Sequence, residues 1–339
     1  MIAKLNERAA RGAQHYRDWG AVAARLREQC THLIAGAHAN EIAFAKNTSE
    51  ALSFVAHGFP WRAGDNVVIS DQEFPSNRIV WEALTARGVE VRRAPIAPHN
   101  AEDMMIAACD KNTRVLSVSS VQYATGLRMN LARLGEHCHR HGIAFCVDAI
   151  QGLGVIPHDV AACHIDFLMA DGHKWLLAPE GIAVFYCRSA WLERLALHEH
   201  GWHMVEPLGN FEGPWQPAKT ARRFECGSPN MLGIHALTAS LSLILEIGVN
   251  IIERRVLANV DTVFAAIARH PRLETLTAQI PGRYAGIVTF KHRELSAEAL
   301  FAQLRARGVV CVARGGGVRF SPHCYNNPAK IENLIKEIQ

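Results

Sequence analysis

Ala170-Asp171-Gly172-His173-Lys174-Trp175-Leu176-Leu177 closes a stretch, Ile165 to Ala170, that reads as a buried strand. Lys174 stands between that strand and a second apolar run, where an ammonium is out of place, because charged side chains seldom lie in such surroundings. The chain holds only eight lysines against twenty-eight arginines. A semi-buried amine gives up its proton more readily, which is what attack on a carbonyl and Schiff-base formation require. Alone, Lys174 also reads as a surface lysine at a strand-to-loop junction. Its surroundings decide.

Twenty-six positions upstream, Gly142-Ile143-Ala144-Phe145-Cys146-Val147-Asp148 reads as a central parallel strand with Asp148 at its carboxyl end. In open α/β sheets ligands collect outside those strand ends. Pyridoxal 5'-phosphate needs a lysine for its aldehyde and an acid that keeps its pyridine nitrogen protonated. Asp148 and Lys174 together supply that pair, although Asp148 by itself also resembles a helix N-cap.

Val147-Asp148-Ala149-Ile150-Gln151-Gly152 followed by Asp171-Gly172-His173-Lys174-Trp175-Leu176 resembles the class V aminotransferase family, which includes cysteine desulfurases, selenocysteine lyases, kynureninases and isopenicillin N epimerases. The resemblance runs from about Ala35 to the C-terminus. It implies a fold type I pyridoxal-phosphate enzyme: an α/β large domain with a mostly parallel, seven-stranded sheet flanked by helices, plus a small C-terminal α/β domain. It further implies Lys174 as the Schiff-base lysine, Asp148 on the pyridine nitrogen and Gln151 on the phenolic oxygen.

Other segments extend the site. Glu41 to Ala45 reads as a short strand, and Asn47-Thr48-Ser49-Glu50 opens the amphipathic run Ala51 to Gly58. Free N–H groups and hydroxyls at a helix start favour phosphate, although the same residues form an ordinary cap. The resemblance places the phosphate cup here, with Ser49 in the hydroxyl position and Thr48 beside it. Glu73-Phe74-Pro75-Ser76-Asn77 follows a strand, and its proline and polar neighbours argue for a loop. Phe74 matches the family's residue stacked on the pyridine face. Val115 to Val121 reads as another buried strand delivering Gln122 and Tyr123. Family members carry a polar residue here, and the sequence leaves open which of the two points inward.

Arg222 to Asn230 resembles the family's Arg-Phe-Glu-x-Gly-Thr segment, in which the hydroxyl residue reaches the phosphate of the neighbouring subunit's cofactor. Ser228 is the match, which implies a homodimer with shared active sites. Leu232 to Ile247 reads as a long helix joining two domains. Gly317-Val318-Arg319-Phe320-Ser321-Pro322-His323-Cys324-Tyr325-Asn326-Asn327 matches the family's substrate clamp. Arg319 sits in an apolar strand where an unpaired guanidinium is costly, and its planar fork suits an α-carboxylate.

Departures from the family are also visible. Asp171 occupies a position where desulfurases often place a phosphate-binding serine. A carboxylate there would repel phosphate, so Asp171 is expected to hydrogen-bond backbone while His173 contacts the phosphate. Met1 falls within what reads as the first helix, Ile2 to Cys30, so the N-terminal arm reads as shortened. A desulfurase needs a nucleophilic cysteine on a mobile loop ahead of the clamp arginine. Cys311 is the candidate, but its valine neighbours read as a strand, in which a thiol behaves as a small apolar group.

Nine cysteines lack paired spacing, and there is no signal peptide or membrane-length apolar run, which makes a reducing cytoplasm the expected compartment. His137-Cys138-His139-Arg140-His141 and His198-Glu199-His200 with His203 show no fixed ligand quartet, so no metal site is expected. Gly315-Gly316-Gly317 precedes a strand rather than a helix and is not a dinucleotide fingerprint. The net charge of +4 is spread along the chain without an aromatic-studded basic cluster, which argues against nucleic acid. With 339 residues and 49% hydrophobic content, the chain can bury a large core. The expected division is a large cofactor-binding domain over 1–240 and a small one over 241–339. The expected activity is transamination or β-elimination on an α-amino acid, with a cysteine desulfurase or selenocysteine lyase, or a catalytically silent cofactor-binding member, as alternatives.

Overall fold

A computed structural model of the chain describes Gln14 and residues 16–338. Its main sheet is built from β1 (Ile42–Ala45), β2 (Asn66–Ser70), β3 (Glu90–Ala94), β4 (Thr113–Ser119), β5 (Ala144–Asp148), β6 (Phe167–Asp171) and β7 (Ala183–Cys187). The seven strands lie in the order β1-β7-β6-β5-β4-β2-β3, and only β7 runs antiparallel to its neighbours. Every residue of β2, β5, β6 and β7 is buried, as expected of strands in a mostly parallel sheet covered on both faces. Val68, Phe145, Val147 and Leu168 pack into one apolar cluster, whereas Val67, Ile69, Cys146 and Phe167 pack into another. That alternation is the period-two signature of a sheet sandwiched between helices. Strand β3 exposes charged side chains, which suits an edge.

The helices are α1 (Tyr16–Leu33), α2 (Thr48–Gly58), α3 (Ser76–Glu82), α4 (Ala101–Ala107), α5 (Leu131–His141), α6 (Met231–Ile247), α7 (Val249–Ala268), α8 (Ala297–Ala306) and α9 (Pro328–Lys336), with a single turn at Ser189–Leu192. The expected first helix, Ile2 to Cys30, is found only from Tyr16; its remaining part lies outside the described residues. The apolar run after Met231 does form a long helix, but α6 and α7 meet at an 81° bend. Gly248 sits at that bend with φ 85, a conformation other residues rarely adopt. Among the described residues no single helix is long and apolar enough to cross a membrane.

A second, antiparallel sheet follows, β8 (Leu273–Thr275), β9 (Val288–His292), β10 (Val312–Arg314) and β11 (Gly317–Phe320), in the order β8-β9-β11-β10. With α7, α8 and α9 it packs its own cluster around Phe264, Phe290, Leu300 and Ile335.

Candidate active site

The carboxyl ends of four parallel strands deliver Ser70, Ser119, Asp148 and Asp171 to one edge of the main sheet. Beneath that edge lies Glu73, a residue the sequence reading passed over because a glutamate before Phe74 and Pro75 looks like solvated loop. It is 6% exposed. Its Oε1 accepts from Ser70 Oγ at 2.7 Å and Gln122 Nε2 at 2.8 Å, and its Oε2 from Asn77 Nδ2 at 2.9 Å and Ser119 Oγ at 2.5 Å. Gln122 is thus the inward residue of its pair, fully buried, with its Oε1 unpartnered. Tyr123 instead presents its ring to Phe74, edge to face, with centroids 5.1 Å apart. Phe74 is in a loop and 37% exposed, free to cover a planar ligand.

Asp148 ends β5 with 1% exposure, accepting Ile150 N–H at 3.0 Å. Burial pushes its carboxyl pKa up to about 7; the charges of Glu73 and Asp171 act in the same direction, and no cationic side chain among the described residues offsets them.

Lys174 follows β6 in a turn that ends at Leu177, whose φ of 57 is rare for a branched side chain. The Lys174 side chain opens into a cleft of ≈ 180 Å³ lined by Gln151, Trp175, Leu177, Arg319, Ser321, His323 and Tyr325, accessible to solvent yet partly desolvated, in keeping with the semi-buried surroundings expected of it. Desolvation in the cleft lowers the amine's pKa, and the positive charges of Arg319 and Arg314 lower it further. Gln151 is fixed there by Trp175 Nε1, which donates to its Oε1 at 3.1 Å. His323 lies between Trp175 and Tyr325, with ring centroids 5.2 and 4.6 Å away, and forms a wall the sequence reading did not assign.

Arg319 comes from β11. Its Nη1 donates to Tyr123 O at 2.7 Å, and its Nε has no partner. Burial, then Arg314, brings the guanidinium down to about 10. Two more side chains of the C-terminal part bind the same loop: Thr289 Oγ1, from β9, donates to Ala124 O at 2.5 Å, and Thr277 Oγ1, just beyond β8, to Thr125 O at 2.7 Å. Gly126 closes this loop with φ 72, where a Cβ would stand 2.4 Å from Ile287 O.

At the start of α2, Asn47 caps Glu50 N–H at 2.9 Å, and Ser49 Oγ donates to Ser76 Oγ at 2.8 Å across the start of α3. Asp171 Oδ2 takes Thr48 N–H at 3.2 Å, the backbone bond expected of it. One of the N–H groups at the start of α2 is thereby engaged by Asp171. His173 Nδ1 stands 3.9 Å from Asp171 Oδ1, has no hydrogen-bond partner, and is available to an anion. Ser228 lies apart, lining a different cavity with Phe44, Lys46, Glu50 and Cys226. Cys311 is 8% exposed in the second apolar sheet's cluster, its thiol pushed up by burial. Among the described residues no cysteine lines the Lys174 cleft, and no group of three or more His, Cys, Asp or Glu is placed to hold a metal.

These residues fit pyridoxal phosphate. Asp148 is a buried acid lacking a cation, Gln122 Oε1 and His173 Nδ1 lack partners, and Lys174 and Arg319 face one cleft whose lining, among the described residues, includes no carboxylate. The family model for aminotransferase class V matches residues 3–334. The chain belongs to the class V aminotransferase family. It is accordingly a pyridoxal-phosphate-dependent enzyme.

Within this family, the chain is 35% identical over 230 residues to a cysteine desulfurase of Klebsiella pneumoniae (strain 342), covering 66% of this chain and 56% of that relative. It is 30% identical over 320 residues to a cysteine desulfurase of Escherichia coli O7:K1 (strain IAI39 / ExPEC), covering 90% of this chain and 75% of the other. The chain thus spans little more than half of the first relative's length. A solved structure of the cystine C-S lyase C-DES in complex with its reaction product cysteine persulfide shares the class V fold, with a TM-score of 0.91, 22% identity, and coverage of 99% and 91%.

Proposed function

We propose that the chain is a lyase that eliminates a sulfur leaving group from Cβ of an α-amino acid. The observation carrying this reading is a cleft that holds Lys174 and Arg319 but, among the described residues, no cysteine to accept sulfur. The relatives named above act on cysteine or cystine, which supports sulfur as the leaving atom.

When bound, pyridoxal phosphate supplies an electron sink for charge at Cα. Arg319 binds the α-carboxylate through the edge of its fork not spent on Tyr123. Lys174, its pKa lowered, takes the proton from Cα. Asp148 holds a proton on the pyridine nitrogen, which relieves its own uncompensated burial. Phe74 covers the ring and keeps water from its face, and Gln151 and Gln122 supply polar contacts around it. Ser49, Thr48 and His173 hold the phosphate, with Asp171 orienting the start of α2.

Ser228, set apart from the cleft, is assigned to the phosphate of a partner subunit's cofactor in a homodimer. Residues 1–240 and 241–339 are taken as the large and small domains. The nine free thiols support a cytoplasmic location.

The test is product analysis with purified enzyme on cystine, cysteine and S-methylcysteine. Elimination from cystine consumes water and gives pyruvate, ammonia and cysteine persulfide. Alanine as the product from cysteine, or amino transfer to a 2-oxo acid, overturns the reading. Lys174→Ala abolishes product and prevents borohydride from fixing cofactor to the chain. Sedimentation tests the dimer.

A further inference from the structure

A second cavity, of ≈ 520 Å³, shares no described residue with the Lys174 cleft. Its wall brings together the start of α5, Ser120 just after β4, His158, Arg128 and Arg283. Two of these side chains are buried and unpartnered: Ser120 is 0% exposed and His158 3%, and neither Ser120 Oγ nor His158 Nε2 has a hydrogen-bond partner. Both atoms crowd one point beside Gly152, where a Cβ would stand 2.7 Å from Ser120 Oγ and 3.1 Å from His158 Nε2. Glycine keeps that space free of a side chain. Buried polar groups without partners are rare in native structures and call for an explanation.

His158 Nδ1 lies 3.0 Å from Ile156 O, which can only accept, so Nδ1 carries the ring proton and Nε2 is a bare acceptor. Burial brings its pKa down to about 4, with Arg128 acting in the same direction, and the ring is neutral near pH 7. Other groups on the wall are donors. Arg283 spends Nη1 on Glu102 at 2.7 Å and Nε on Pro98 O at 2.9 Å, which leaves Nη2 unpartnered. Leu131 and Ala132 bring the first turn of α5 to the cavity, and that turn carries no acidic side chain. The first N–H groups of a helix lack intrahelical partners and favour an anion. The acid on the wall, Asp159, is exposed, and its Oδ1 accepts Ala162 N–H at 2.8 Å.

An anion that only accepts would suit these donors but set its lone pairs against His158 Nε2. We propose that the cavity binds a small oxyanion that keeps a proton at neutral pH, of which inorganic phosphate is the simplest. Its O–H donates to His158 Nε2, and its other oxygens take Ser120 Oγ, Arg283 Nη2 and the start of α5. Sulfate has the same shape but no proton to offer, and a phosphomonoester has mostly lost its own above about pH 7. Ser120 N–H donates to Asp148 O at 2.9 Å, so this site backs onto the strand end that carries the buried acid.

The test is calorimetric titration of the holoenzyme, with the cofactor's own phosphate already seated, at about pH 7.5 and constant ionic strength. The probes are inorganic phosphate, sulfate and methyl phosphate. Wild type binds phosphate about tenfold tighter than either of the others, the worth of one charge-assisted hydrogen bond. His158→Leu lowers phosphate to the sulfate affinity. Ser120→Ala weakens phosphate and sulfate alike, by about threefold to tenfold, and decides the matter if His158→Leu does not fold. Equal binding of phosphate and sulfate by wild type, an undiminished preference in folded His158→Leu, or an unchanged phosphate affinity in Ser120→Ala overturns the proposal. Methyl phosphate binding as tightly as phosphate overturns it too, since the proton would then play no part.

Discussion

Glu73 accepts both the backbone N–H of Ser119, at 3.0 and 3.1 Å to its two oxygens, and the Ser119 hydroxyl. Ser119 pairs in register with Asp148 on the adjacent strand. One carboxylate therefore ties the end of β4 to the loop that presents Phe74, next to the acid that carries the cofactor chemistry. Every group facing Glu73 in this network is a donor. Glu73→Gln turns an amide NH₂ toward those donors and should lower unfolding stability by roughly 2–4 kcal/mol, the cost of leaving buried donors unmade. Urea denaturation measures it; a change below about 0.5 kcal/mol, within the range of an ordinary surface substitution, would remove the network from the account.

Asp148 sets a pH dependence. Its folded pKa, about 7 in the cofactor-free chain, lies above the unfolded value of about 3.9. A raised acid favours the folded state most when protonated, so its contribution is full below about pH 4 and is lost as pH rises toward 7. The melting temperature of cofactor-free wild type, relative to Asp148→Asn, should fall across that window and then level off. Parallel curves would count against the assignment.

Arg319→Lys should lower kcat/KM by about a hundredfold, because a point charge cannot hold the Tyr123 carbonyl and a carboxylate in one plane. Steady-state kinetics on the active substrate checks this, and a loss under about threefold would argue that the carboxylate is held elsewhere.

Cys311→Ala should leave the rate of sulfur release unchanged, since its thiol is buried and held protonated. Abolished turnover would restore the desulfurase alternative and overturn the elimination reading.

The strand ends were legible in the sequence because each combines an apolar run with one misplaced polar residue, as at Asp148 and Lys174. Phe74 was legible through its proline neighbour. Glu73 and Arg314 were not, since a charge in a turn or at a hairpin tip looks solvated until distant strands are brought against it. At Lys174 the apolar neighbours Trp175 and Leu176 turn into the core and leave the amine facing a cleft that partly desolvates it. The engagement of Thr48 N–H by Asp171 spans 123 positions, beyond the reach of any local pattern.

Three successive carbonyls, those of Tyr123, Ala124 and Thr125, are held by Arg319, Thr289 and Thr277. Swinging the C-terminal sheet away as a rigid lobe would shear all three bonds and withdraw the clamp from the ring-covering aromatics in the same stroke. Substrate admission by local rearrangement at the rim, around the strained Leu177 and the exposed Tyr325, leaves this grip intact.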